Sequence, residues 1–213
     1  MTIILKESDP KALKMASEIL KNDGIVCFAT ETVYAVACNA GSDLASKRLY
    51  EIKNRDPKKP IAVFVKNLTE VKRIFYLSKE EETIAKNFMP GMITLILKKK
   101  KIDKKMISSV LNNDDQNLGI RIPNHKFCLK LLNEFDGIIA ATSANPSQKD
   151  PAINFFLATK YFMNKVDLII DGGVCDHKIA STVLKVEGGI QVIREGLVTK
   201  NQLEQSIKNL CNS

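Results

Sequence analysis

The residues able to do chemistry in this 213-residue chain are mostly hydroxyls, amides and cations, and they gather in short segments beside apolar runs. Thr30-Glu31-Thr32-Val33-Tyr34 follows the run 25–29 and brings two hydroxyls, a carboxylate and a phenol to one point. Taken alone, it reads more readily as a polar strand-to-helix turn. Lys53-Asn54-Arg55-Asp56-Pro57-Lys58-Lys59-Pro60 is denser in cations. A helix C-terminus accounts for Lys53. The further cations in a proline-stiffened loop suit a triphosphate, which needs several of them in fixed geometry. Thr142-Ser143-Ala144-Asn145 offers small hydroxyl and amide groups able to hold a phosphate or carboxylate. Ser181-Thr182 and Arg194-Glu195-Gly196 complete the set. Arg121 lies within the apolar Ile120-Arg121-Ile122-Pro123, where an unpaired guanidinium would be costly, so a ligand or a buried carboxylate must answer it.

Other chemistries are excluded. The two histidines, His125 and His177, have no Cys, Asp or Glu at metal-ligand spacing, which argues against a structural zinc site. There is no GxSxG elbow, no GxxxxGK[ST] and no GxGxxG, so a nucleotide would need another device. Five cysteines without a CxxC pair point to reduced thiols. Neither a signal peptide nor a bilayer-spanning run is found, so a soluble, cytoplasmic protein without a membrane partner is expected. The formal net charge of +8 favours anionic partners, although a lysine-rich composition alone would also produce it.

The elements that must position these groups alternate between strand and helix. Asp9-Pro10 looks like a helix start, with Leu13, Ala16, Ile19 and Leu20 on one face and Gly24 as the stop. Ser42 or Asp43 should cap a helix to about Asn54, with Leu44, Leu49 and Ile52 inward, and Ser78 with Glu81 forms a capping box. Residues 127–135 read as a helix, and Thr199 as the cap of a last helix at about 199–210. Residues 25–29, 61–65, 93–97, 118–122, 137–141, 168–170, 182–186 and 190–193 read as strands, and 112–117 as a polar surface loop. The short Val186-Glu187-Gly188-Gly189-Ile190 link implies antiparallel pairing. The expected architecture is a single α/β domain over residues 1–213, with helices flanking a twisted mixed parallel and antiparallel sheet.

The order of the segments carries more than any one of them. Thr-Glu-Thr-Val-Tyr, Lys-x-Arg-x-x-x-Lys-Pro, Pro-Gly-x-x-Thr, Arg-x-Pro-x-His, Thr-Ser-Ala-Asn, Ser-Thr-Val and Arg-x-Gly follow one another across residues 24–196. This closely resembles the YrdC-like family of threonylcarbamoyl-adenylate synthases, in the short form without a C-terminal domain. The resemblance implies a YrdC-like fold with a deep positive cavity. It also implies a nucleotidyltransfer: L-threonine and bicarbonate form a carbamate, which attacks the α-phosphate of ATP and expels pyrophosphate. The product would serve tRNA t6A37 modification, passing to a separate threonylcarbamoyl transferase complex, with tRNA itself a further candidate contact.

On that resemblance, Thr32, Arg121, Ser143 and Ser181 would hold threonine. Lys53, Arg55 and Lys59 would grip the triphosphate, while Asn145 and Arg194 would contact the nucleotide. Thr30, Tyr34, Thr94, Thr142 and Thr182 are secondary candidates for the pocket wall. No covalent nucleophile is required, and Mg²⁺ should arrive on the ATP phosphates without a protein cage. The chain departs from the family pattern at Ala35 and Ala37, where glycines are common and alanine would hinder positive φ, and at Met92, Gln148 and Phe64. These departures motivate one alternative, a paralogue of the same fold with altered activity. The charge motivates another, a double-stranded RNA or tRNA-binding module without catalysis.

Overall fold

The computed structural model describes residues 1–103, 106–111 and 115–208. Within them the strands are β1 (Ile3–Lys6), β2 (Val26–Phe28), β3 (Ala35–Asn39), β4 (Val63–Phe64), β5 (Ile93–Lys98), β6 (Asn117–Arg121), β7 (Ile139–Ser143), β8 (Leu168–Asp171), β9 (Thr182–Val186) and β10 (Ile190–Arg194). The helices are α1 (Ala12–Lys21), α2 (Asp43–Lys53), α3 (Leu68–Ile74), α4 (Lys79–Phe88), α5 (Lys126–Phe135), α6 (Phe155–Phe162) and α7 (Lys200–Lys208). All the strands join one sheet in the order β1-β8-β2-β3-β7-β4-β6-β5-β9-β10. Pairing is mixed: β8 is parallel to β1 and β2, β4 to β6, and β5 to β9, while the remaining neighbours are antiparallel.

Local chemistry sets most boundaries. Ser42 accepts from Ala45 N–H to start α2, and Asn54 in the left-handed conformation ends it. Ser78 and Glu81 form the reciprocal capping box of α4. Gly188 and Gly189, at φ +62° and +125°, make the tight turn between β9 and β10. Thr199 accepts from Gln202 N–H at the head of α7, whose expected end at Leu210 lies outside the described residues.

Several expectations are corrected. The start of α1 is not Asp9: its side chain and carbonyl close a turn on Lys11 and Ala12, and Lys11 precedes the helix without a side-chain cap. Leu44 does not face inward but is 68% exposed, because it falls on the outer side of α2, whose inner side carries Ala45, Ser46 and Leu49. Thr30 to Tyr34 connects strand to strand, since β2 pairs antiparallel with β3. Asn117 opens β6 instead of closing a loop, and residues 112–114 of that loop lie outside the described residues. β1, β3, α3 and α6 are further elements beyond those expected from the sequence.

Two apolar layers sandwich the sheet. Alternate residues of β5, β6 and β9, including Ile93, Leu95, Leu97, Leu118, Ile120 and Leu184, join the larger layer with α2, α4 and α7. On the other face α1 and α5 cover β2, β3, β7 and β8 through Ala12, Ala16, Leu20, Phe127, Leu131 and Leu132. These two helices stop short of β5, β6 and β9, so the alternate side chains there face a cavity. Among the described residues, no helix is long and apolar enough to cross a membrane.

Candidate active site

The cavity measures about 320 Å³ and is floored by Thr94 and Ile96 of β5, Gly119 and Arg121 of β6, and Val183 of β9. Gly119 keeps that floor low, since a Cβ there would stand 3.1 Å from Thr94 Cγ2 and 3.2 Å from Ala62 Cβ. The walls add Thr30, Thr32, Tyr34, Arg55, Phe64, Thr142, Ser143, Ser181 and Arg194. Residues spread over 165 positions of sequence thus converge because β4, β6, β5 and β9 are sheet neighbours.

Arg121 is the most fully determined group. Its Nε donates to Gly91 O at 3.1 Å, and its Nη2 donates to Glu31 Oε1 at 2.7 Å and Thr32 Oγ1 at 2.9 Å. The guanidinium lies 5.6 Å from the centre of the Phe64 ring, a cation–π contact that holds its plane. Glu31 also accepts from Asn124 N–H at 2.9 Å, while its Oε2 is buried without a hydrogen-bond partner among the described residues. The carboxylate alternative raised for Arg121 is therefore present, and its Nη1 still has no hydrogen-bond partner among the described residues. The carboxylate of the 30–34 segment is thus the partner of Arg121, a pairing that no spacing rule reveals across ninety positions.

The hydroxyls form two chains. Thr30 Oγ1 lies 2.8 Å from Thr32 Oγ1 and donates to Val33 O, fixing the 29–34 loop so that Thr32 reaches Arg121 on β6. Thr94 Oγ1 lies 2.8 Å from Ser181 Oγ, and Arg194 donates to Ser181 O at 2.7 Å and Ser181 Oγ at 3.2 Å. Gly196 permits this, because a Cβ there would come within 2.3 Å of Ala180 O. Burial first, then the neighbouring Arg121 and Arg55 charges, push the Arg194 pKa down. Three guanidinium groups thus share one low-dielectric space, an arrangement that an anion relieves.

Other candidates sit farther from the centre. Lys53 is buried at the end of α2 and donates to Ser143 O and, at 3.4 Å, to Asn145 Oδ1. Desolvation, with Arg55 adding to it, lowers its pKa to about 7. Asn145 Oδ1 accepts from Ser143 Oγ at 2.6 Å, and its Nδ2 closes the following turn on Pro146 O and Lys149 O. Lys53 and Asn145 therefore stand behind Ser143 and not on the cavity wall. Arg55 reaches the wall while tying its own loop through Lys59 O and Pro60 O. Lys59 is exposed on that loop. Tyr34 borders the cavity, but its hydroxyl bonds Gly172 N–H and Gly173 O. Thr182 turns to the opposite face and donates to Val198 O, so it does not join the wall group.

The departures acquire physical readings. Ala35 and Ala37 lie in extended β3 and need no positive φ, which removes the concern attached to them, and Ala35 lines the cavity. Phe64 supports Arg121. Gln148, at φ +67°, does occupy a backbone conformation that favours glycine. His125 precedes α5 with Nε2 3.8 Å from Glu7 Oε2, and His177 N–H donates to Glu31 O.

A family model described as "Telomere recombination", spanning the Sua5, YciO and YrdC proteins, matches residues 18–196. The chain belongs to this Sua5/YciO/YrdC family. A Methanocaldococcus jannaschii member, provisionally named a threonylcarbamoyl-AMP synthase, is 32% identical over 93% of this chain and 92% of its own. The Bacillus subtilis threonylcarbamoyl-AMP synthase is 32% identical over 95% of this chain but only 58% of its own length. The structure of Pyrococcus abyssi Sua5 in complex with L-threonine superposes with a TM-score of 0.89 at 28% identity, over 97% of this chain and 61% of that one. This family member thus spans nearly the whole of one relative and about three fifths of the other two.

Proposed function

We propose that this protein is an L-threonylcarbamoyladenylate synthase, a nucleotidyltransferase forming threonylcarbamoyl-AMP and pyrophosphate from L-threonine, bicarbonate and ATP. The observation that carries the reading is the convergence of Arg55, Arg121 and Arg194 with Thr32, Ser143 and Ser181 around one cavity. The names of the relatives, and the threonine bound by the Pyrococcus protein, support the same choice.

In this scheme the threonine amine condenses with bicarbonate and releases water. A carbamate oxygen then attacks the α-phosphorus, forming a P–O bond as the bond to pyrophosphate breaks. Arg121 Nη1 takes the threonine carboxylate, with Thr32 and Ser181 beside it. Arg55 and Arg194 face the phosphates, and Lys53 and Asn145 hold Ser143 in place. Lys59 extends the cationic loop toward the outer phosphates. No side chain forms a covalent bond; catalysis comes from juxtaposing reactants and from fixed charge at the phosphates. Among the described residues no three His, Cys, Asp or Glu groups cluster as metal ligands, and the cavity wall carries guanidinium and hydroxyl groups. That donor set fits Mg²⁺ carried in on phosphate oxygens, where it would shield their charge. The labile adenylate would pass to a tRNA threonylcarbamoyl transferase complex in the cytoplasm, with tRNA contact a further part of the proposal.

The test is pyrophosphate release from purified protein with Mg-ATP. Release that requires both bicarbonate and L-threonine is expected. Nucleotide binding with threonine-independent or absent release would reject the reading in favour of a paralogue with other chemistry. Salt-sensitive RNA binding without nucleotide binding would favour the RNA module.

A further inference from the structure

The three guanidinium groups of the cavity are not electrically alike. Arg121 is paired at 2.7 Å with Glu31, both side chains being about 95% buried. Arg55 donates to Lys59 O and Pro60 O, and Arg194 to Ser181, and among the described residues neither has a carboxylate at ion-pair distance. Asp56 gives Arg55 only a longer-range attraction. One end of the cavity is therefore a neutral ion pair with a free Nη1 donor, and the rest is cationic.

This matters because the proposed reaction puts two anionic ligands side by side. Free phosphate or an ATP phosphate could otherwise settle on Arg121 and block the amino acid. A zwitterionic amino acid brings one carboxylate and its own ammonium, so it needs no surplus positive charge. A phosphate brings up to two negative charges beside Glu31, whose Oε2 is buried and accepts no hydrogen bond among the described residues. Gly91 O, Thr32 Oγ1 and Glu31 also occupy Nε and Nη2, which leaves Nη1 to meet a ligand.

Building on the synthase reading, we propose that Glu31 is a specificity-determining residue. It reserves the Arg121 end for an amino-acid carboxylate and confines phosphate groups to the Arg55 and Arg194 end. It acts through Arg121 and is a positioning residue, not a catalytic one.

The experiment is calorimetric titration of the full chain with L-threonine and with inorganic phosphate, each in the presence and absence of the other. Wild-type protein should bind threonine with an affinity that phosphate leaves unchanged. In Glu31→Gln, phosphate should bind about tenfold or more tightly and should displace threonine competitively. Glu31→Asp, which keeps the charge, should restore independence from phosphate. Competition in the wild type, or a Glu31→Gln variant that binds both ligands as wild type does, overturns the proposal. Should the variants not fold, the wild-type titration decides by itself. Wild-type protein that binds no threonine overturns the synthase reading and this inference together, whereas threonine binding with phosphate competition removes only the role of Glu31.

Discussion

Lys53, the last residue of α2, points its ammonium at Ser143 O and Asn145 Oδ1 at the end of β7, so a buried cation joins helix to strand directly behind the cavity wall. In return, Lys53 O accepts from Ser147 N–H and Oγ. The cationic loop and the Thr-Ser-Ala-Asn segment are in effect one unit.

That unit makes ATP binding proton-linked. Burial and Arg55 hold Lys53 at about 7, so near neutral pH only part of the population is charged. Phosphates beside Arg55 relieve the repulsion and raise the Lys53 pKa. We predict uptake of a fraction of a proton per ATP at about pH 8, read by calorimetry in buffers of different ionisation enthalpy. Lys53→Met should abolish it, and equal uptake in both proteins would refute the linkage. The folded chain also holds this proton less firmly than the unfolded chain, whose lysine titrates near 10.4. Between about pH 7 and pH 8.5, stability should therefore rise with pH more steeply in wild type than in Lys53→Met, as denaturant melts at each pH would show.

Arg121→Ala strands Glu31 as a buried, unpaired carboxylate. A loss of about 3–5 kcal/mol is expected in urea denaturation. In steady-state kinetics the threonine KM should climb far more than the ATP KM. Equal increases would remove Arg121 from the amino-acid end.

Gly119→Ala puts a methyl against Thr94 Cγ2 and Ala62 Cβ at 3.1 and 3.2 Å. A cost of about 1–3 kcal/mol is expected, together with weaker ligand binding, because the added atom rises from the cavity floor. Wild-type affinity in that variant would show that ligands do not descend so far.

Gln148→Gly should do the opposite. Gln148 is exposed and holds φ +67° in the turn after Asn145. Relief of about 1 kcal/mol should appear as a raised Tm with KM values unchanged. A lowered Tm would mean that the glutamine side chain contributes more than its backbone costs.

Much of this was legible before any fold was known. The helix starts at Ser42, Ser78 and Thr199 and the β9–β10 turn are encoded within a few residues, because caps and turns are local chemistry. Short apolar runs marked β5, β6, β9 and β10, and the order of the segments pointed to the family. The failures also have physical causes. The apolar Ile3-Ile4-Leu5 run became an edge strand only because β8 lay beside it, and Asp9 folded into a turn before α1 could begin. The alanine-rich β3 carries no strong strand signal and is held by its neighbours β2 and β7.

The sequence by itself determined which groups were present and the short elements that bear them, since propensity, capping and alternation act within a few residues. Only the tertiary structure decided which groups meet. It paired Glu31 with Arg121 across ninety residues, set Phe64 beneath the guanidinium, turned Thr182 to the far face, and moved Lys53 and Asn145 behind the wall. The physical reason is the sheet order. Strands distant in sequence become neighbours, and α1 and α5 cover only part of one face, so Thr94 of β5, Arg121 of β6 and Val183 of β9 are left facing a cavity instead of a core.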